Sequence, residues 1–339
     1  MTRTTPPRPV DVEAQFPELA GHRTMCTRLH PRPGTPKPTD SSIGGPLLWP
    51  AHEPWPICQE PHVRDKGRRV DDVHQERSIL HEAWRRHPET GPSTEDLAAL
   101  SSLRQEYRVP GMEETDQTPL LPLAQLFAKD VPGLMPPDGC DLLQVLWCPF
   151  DAHGTPRTPG IQLRWRDSGE CGEVLETYPV PEVVGSEGYV PEPCTVAPER
   201  VTEHEYQELL SENLQYRIEQ WEEEREEEAE ESGDEDDVVT YHHDLSIAPG
   251  WKVGGHASWG VTGPFEDVCS CGAPVRLLLT IASYEWDGGT RSWVPLEDRD
   301  LIAVADANIP TRVTVGRGGS LNVFVCAADV SHGHKLSLQ

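Results

Sequence analysis

Apolar and polar positions change their period several times along the chain, and each change marks an element. Over 202–225, Tyr206, Leu209, Leu210, Leu214, Ile218 and Trp221 recur at the spacing of an amphipathic helix. Thr202 and Glu205 precede that stripe and read as a capping box. Over 70–108, Ile79, Leu80 and Trp84 mark one helix and Leu97, Leu100 and Leu103 another, with Ser93 or Thr94 placed to cap the second. Two short apolar runs bounded by turn residues, 119–131 and 141–151, predict buried strands, and the alternation in IQLRWR (161–166) predicts a half-exposed one. The last stretch, 245–339, reads as strands and turns, including WKVGGHASWG, VRLLLTIASYEW, RVTVGRG and SLNVFVCAADV. Residues 26–61 are too rich in Pro for a long helix and predict an extended segment pinned by Trp49 and Trp55. Residues 1–20 hold four Pro and no hydrophobic period, which predicts a disordered arm. The organisation that follows is the arm, 1–20, and a single domain, 21–339. That domain has a first half, 21–200, with a helical insertion, 62–118. A helix and acidic tract, 201–240, then lead to a second half, 241–339.

One order of signals occurs twice. SIGGPLLWP (42–50), LPLAQLFAKD (121–130) and DLLQVLWC (141–148) are answered by KVGGHASWG (252–260), RLLLTIASYEW (276–286) and SLNVFVC (320–326). Each set runs from an apolar residue before Gly-Gly, through a Trp and a central apolar strand, to an apolar strand ending in Cys. Two such units can pack as related halves around one core.

Charge narrows the partners. The 339 residues carry a net charge of −28, of which −11 sits in 222–237, EEEREEEAEESGDEDD. Such a balance excludes a nucleic-acid binder and an anionic-membrane binder, both of which need clustered Lys and Arg. The acidic tract reads as a solvated spacer, or as a lure for a basic protein partner. No apolar run reaches the length of a membrane span, and the first residues lack the apolar core of a secretory signal. Nine cysteines, an odd number without such a signal, fit a reducing cytoplasmic setting better than a disulfide framework.

Several of these segments resemble one family. SSIGGPLLWPAHEPWP, PLAQLFAKDVPGL, DLLQVLWCPFD, KVGGHASWGVTGP, CSCGAPVRLLLTIASYEWD and SLNVFVCAADV, in that order, are similar to the YwqG-like family of bacterial proteins. The likeness spans roughly 40–330, interrupted by 62–118 and 167–240. Two features depart from the family pattern: Ser42-Ile43 at its usual S-K start, and Cys269-Ser270-Cys271 one residue shorter than C-x-x-C. The resemblance implies a mixed α+β fold of two similar halves. It brings no established catalytic activity, the family being a domain of unknown function. The fold expected is therefore α+β, with mixed, mostly antiparallel sheets built from two related halves and helical insertions.

Candidate chemistry concentrates in three places. Cys269, Cys271 and Cys326, with His332 or His334, supply the thiolates and imidazole that zinc takes in a tetrahedral site, and Cys271-Gly272 suits a knuckle turn. The same cysteines can equally be reduced core residues. Cys148, Asp151 and His153 offer a thiol beside an imidazole, the make-up of a nucleophile pair, although a Cys ending a buried strand is more simply core. Trp49, Trp55, Trp251 and Trp259, with His256 and Arg276, can line a binding groove between the halves or anchor loops on the core. Asp71, Asp72 and His74 read as a solvated face, as does Asp65. The sequence holds no phosphate-binding loop, nucleophile elbow or H-E-x-x-H motif. The reading is a protein-binding or interaction module. The alternatives are an enzyme of unknown reaction using Cys148 or a metal near Cys269, and a zinc-stapled structural scaffold.

Overall fold

The computed structural model describes residues 2–60, 66–110, 113, 116–150, 153, 158–232, 238–264 and 268–339. The chain opens with α1 (Val12–Gln15), β1 (Arg23–Arg28), β2 (Arg32–Pro33), β3 (Ser42–Ile43), β4 (Ile57–Cys58) and β5 (Lys66–Arg69). Two helices follow, α2 (Val70–Arg86) and α3 (Thr94–Leu103), then β6 (Tyr107–Arg108), β7 (Thr118–Pro119), β8 (Leu121–Phe127), β9 (Leu142–Trp147) and β10 (Ile161–Arg166). Next come β11 (Val183–Val184), β12 (Cys194–Thr195), β13 (Glu199–His204) and α4 (Glu212–Ser232). The chain closes with β14 (Lys252–Gly254), β15 (Val275–Ala282), β16 (Ser320–Cys326) and β17 (Lys335–Leu338).

Two six-stranded sheets form the body, ordered β10-β9-β8-β3-β12-β2 and β13-β1-β14-β15-β16-β17. Their pairings are antiparallel, and the architecture is α+β as expected. Four consecutive strands of one sheet, β3-β8-β9-β10, answer four of the other, β14-β15-β16-β17, residue by residue. Ser42 faces Gln125, which faces Gln144; Lys252 faces Thr280, which faces Asn322. Both central strands carry a bulge at the matching place, between Pro122 and Ala124 and between Leu277 and Leu279. A bulge costs a ladder position and twists its strand, so its repetition in register is a strong sign of one plan used twice.

The segment after each Gly-Gly is fixed in the same way. The Gln144 amide donates to the Leu48 carbonyl (2.9 Å), and the Asn322 amide to the Ser258 carbonyl (3.4 Å). Each acceptor lies three residues beyond its Gly-Gly and immediately before a buried Trp, Trp49 or Trp259. Such side-chain bonds satisfy the backbone of a covering segment that joins no ladder.

The inner faces of the sheets share one core. Leu123, Leu126, Leu143, Val145 and Trp147 pack in one cluster with Leu278, Leu279, Ile281, Leu321 and Val323. Burying each aliphatic side chain is worth about 1.5–3 kcal/mol, so this seam dominates the cohesion of the halves.

Several expectations are corrected. The arm read as disordered over 1–20 is packed: Val12, Phe16 and Leu19 join Leu214 and Ile218 of α4 in a buried cluster. Thr5 hydroxyl and backbone both donate to Glu199, and the buried Arg28 donates to the Thr5 hydroxyl (2.9 Å) and the Trp293 carbonyl (2.9 Å). The helix expected over 202–225 begins only at Glu212, and Thr202 and Glu205 form no capping box. Residues 199–204 are instead β13, paired along its whole length with β1. Ser211 takes the capping place, its hydroxyl accepting from the Leu214 N–H at 3.4 Å. The strand expected at 312–318 is absent. Val313 and Val315 are fully buried, but Val315 N–H donates to the Ser283 hydroxyl (3.0 Å) rather than to a ladder. The turn at 316–319 therefore follows a coil and leads into β16.

Helices α2 and α3 exist, with a full capping box between Ser93 and Asp96. Of the stripe residues, Leu100 is buried, while Trp84 and Leu97 stay exposed. Asp71 and Asp72 lie in the first turn of α2; Asp65 lies outside the described residues. The acidic tract is helical as far as Ser232, and residues 233–237 lie outside the described ones. No described helix is long and apolar enough to cross a membrane.

Candidate metal centre

A short turn, the end of one strand and a second turn bring four donors together. Val268 bridges Pro274, Cys269 N–H donates to the Ala273 carbonyl (2.8 Å) and Gly272 N–H to the Cys269 carbonyl (2.8 Å). Gly272 has φ +85°, a left-handed conformation that folds the two cysteines onto one side. Cys326 is the last residue of β16, opposite Val275, so it sits beside this turn. Beyond it, Ser331 N–H donates to Asp329 (2.8 Å) and His332 N–H to the Asp329 carbonyl (3.2 Å), which returns the imidazole to the cysteines.

The ligand atoms of Cys269, Cys271, Cys326 and His332 all lie within 4.8 Å of one another. Cys269 Sγ is 3.4 Å from His332 Nδ1, and Cys271 Sγ is 3.6 Å from Cys326 Sγ. A tetrahedral zinc with Zn–S near 2.3 Å separates its sulfurs by about 3.7 Å. The sulfurs are far outside bonding distance for a disulfide, which needs about 2.05 Å. The opposite ring nitrogen, His332 Nε2, faces Asp329 at 3.7 Å, the carboxylate–imidazole arrangement that orients metal-binding histidines.

The four groups do not titrate alike: the Cys269 and Cys326 thiols are lowered, whereas Cys271, despite the Ala273 backbone hydrogen bond, is raised by the Cys326 and Cys269 sulfurs. The Cys271 backbone N–H, together with the Cys271, Cys326 and Ser270 side chains, brings the Cys269 thiol down to about 6 against its desolvation. Cys326 is desolvated, yet the Asp329 and Ala328 N–H groups and His332 hold it below the usual thiol range. The His332 imidazole is raised by the Cys326 and Cys269 sulfurs. Thiolates are the metal-binding form of cysteine, and a closed set of four protein donors suits a structural ion. His334, the alternative imidazole, is not one of the four and is half-buried two residues further on, its pKa lowered by desolvation.

A second group converges beside the other six-stranded sheet, from the small β4-β7 pair and the segment after β9: Cys58, Cys148 and His153, again with ligand atoms within 4.8 Å. Asp151, grouped with Cys148 and His153 in the sequence, lies outside the described residues. Cys58 was not legible as a partner, because 89 residues separate it from Cys148 and a lone Cys has no spacing to read.

The aromatic groove does not form. Trp251 lies in the core between the sheets, Trp49 and Trp55 pack together on the outer face of one sheet (5.0 Å), and Trp259 stacks on Phe324 on the outer face of the other. All four are buried, because each anchors a loop. His256 Nε2 meets the His22 carbonyl (3.1 Å), and Arg276 is half-buried on β15. Two surface clefts, of about 390 and 250 Å³, contain none of these six residues.

One buried ion pair carried no sequence signal. Glu203 of β13 reaches over β1 to Lys252 of β14, with Nζ to Oε1 at 2.5 Å, and also accepts from the Ala248 and His256 N–H groups (2.8 Å each). A Cβ at Gly255 would strike the Glu203 carboxylate, so that glycine, with φ +81°, is where the close approach requires it. No protein-family model matches the chain, and no curated protein matches it.

Proposed function

We propose that the chain is a YwqG-like interaction scaffold whose second sheet is stapled by a structural zinc ion at Cys269, Cys271, Cys326 and His332. The observation that carries the zinc is the closed set of three sulfurs and one imidazole within 4.8 Å. Two quasi-equivalent sheets around one core support the resemblance. A scaffold fits better than an enzyme because Cys148 is buried and the C-terminal set leaves no donor position for a substrate. The test is metal analysis of protein purified without added chelator. Zinc at one equivalent or more is expected, with one equivalent lost in Cys269→Ser and Cys271→Ser; wild-type protein free of stoichiometric metal would retire the staple.

The partner in this reading is a basic protein. Glu223, Glu224, Glu226, Glu227, Glu228, Glu230 and Glu231 are exposed along the last turns of α4. Such a face speeds and selects encounters with a basic surface through long-range attraction. Deleting 222–237 is expected to lower partner recovery at low salt, roughly tenfold or more on the scale of steered association. Recovery that is unchanged by the deletion and by added salt argues against the lure.

A further inference from the structure

We propose that Cys58, Cys148 and His153 form a second site for a thiophilic divalent cation, the counterpart beside the first sheet of the four-donor centre in the second. Two independent observations carry it. The first is local geometry. All three side chains are buried, and Cys58 Sγ lies 3.8 Å from His153 Nε2. The other ring nitrogen, Nδ1, meets Glu60 Oε2 at 3.1 Å. A carboxylate on one ring nitrogen and sulfur beyond the other is the arrangement of a metal-binding histidine, and it is the one His332 shows.

The second observation is register. Ile57 pairs with Pro119 just before β8, and Val268 bridges Pro274 just before β15. The next residue is Cys58 in one case and Cys269 in the other. Cys148 follows β9 and Cys326 ends β16, each four residues past the polar pair Gln144 and Asn322 that faces Gln125 and Thr280. His153 stands five residues after Cys148, and His332 six after Cys326. Three donors of one centre therefore recur at the matching corner of the other sheet.

The fourth position differs. Cys271 lies two residues after Cys269, and Glu60 two after Cys58. In the sequence a carboxylate thus stands where the second centre has a thiolate, but it meets His153 Nδ1 and is not one of the three converging donors, and the long insertion begins there in place of the tight Cys269–Ala273 turn. Two thiols and one imidazole select a borderline-soft ion such as Zn²⁺ over Mg²⁺ or Ca²⁺.

The inference extends the zinc reading to another place, and the two fail separately. Metal content is measured on the full chain as wild type, Cys148→Ser, His153→Asn and Cys326→Ser, each checked for native near-ultraviolet circular dichroism. Two zinc ions per chain are expected, falling to one in each variant. A single ion that Cys326→Ser removes and Cys148→Ser leaves would overturn the second site and keep the first. A single ion with the opposite dependence would keep the second site and remove the first. Should the Cys148 variant not fold, Co²⁺ titration of the wild type decides: thiolate-to-cobalt absorption rising to two equivalents supports the site, and saturation at one equivalent that Cys326→Ser abolishes overturns it.

Discussion

Glu203→Ala is expected to destabilise the fold by about 3–5 kcal/mol, the usual cost of stripping one partner from a buried ion pair. Lys252 is 1% exposed and Glu203 is fully buried, so the ammonium left behind has no water to replace its counter-ion. Its remaining acceptor is the His256 carbonyl at 2.8 Å. The Ala248 and His256 N–H groups lose their acceptor as well, which adds desolvation cost to the uncompensated charge. The effect reaches beyond the pair, because Glu203 ties β13 across β1 to the strand that opens the second repeat. Urea unfolding measures it. Glu203→Gln, which keeps one acceptor, is expected to lose less than Ala. The double variant Glu203→Ala with Lys252→Met should recover much of the loss, since the stranded charge is gone. A midpoint for Glu203→Ala within error of wild type would mean that the carboxylate is not sealed inside this sheet.

If the C-terminal centre holds the proposed zinc, removing it is expected to lower stability by a comparable amount. A ligand that binds only the folded chain contributes about 4 kcal/mol when its free concentration is a thousand times its dissociation constant. The loss should be local in origin. The centre joins the turn at 268–274 to the end of β16 and to the turn before β17, so amide exchange should rise first over 268–275 and 327–338. The inner core around Leu279 and Val323 should stay protected until global unfolding, because its apolar burial does not depend on the ion. Thermal unfolding with zinc, with a strong chelator, and of Cys326→Ser makes the comparison. Equal transitions with zinc and chelator, in protein that retained metal beforehand, would deny the ion a structural role.

The parts of this molecule that could be read from the chain are those whose partners impose a period. β8, β9, β15 and β16 are covered on both faces, so their sequences are nearly continuous apolar runs and could be named in advance. The repeated order of Gly-Gly, Trp and Cys was visible for the same reason: a strand, a covering loop and a strand end each demand a residue type. The helix before the acidic tract was placed too early. β13 buries Val201 and Glu203 alternately, and Thr202 with Glu205 imitates a cap that the chain does not use. Sheet pairing with β1 outweighed the local helical preference. The arm at 1–20 was misread because its anchors are single apolar and hydroxyl residues without a repeat.

For the sites, the chain alone offered Cys269, Cys271, Cys326 and a C-terminal histidine as one candidate set of zinc donors and left reduced core cysteines equally open. It could not choose between His332 and His334; the turn nucleated by Asp329 does, by aiming one ring at the sulfurs. Nor could it join Cys58 to Cys148, scatter the four tryptophans to three faces, or pair Glu203 with Lys252. Those arrangements are set by strand register across two sheets. Register fixes which distant residues share a corner, and it is decided by the packing of inner faces rather than by any neighbour along the sequence.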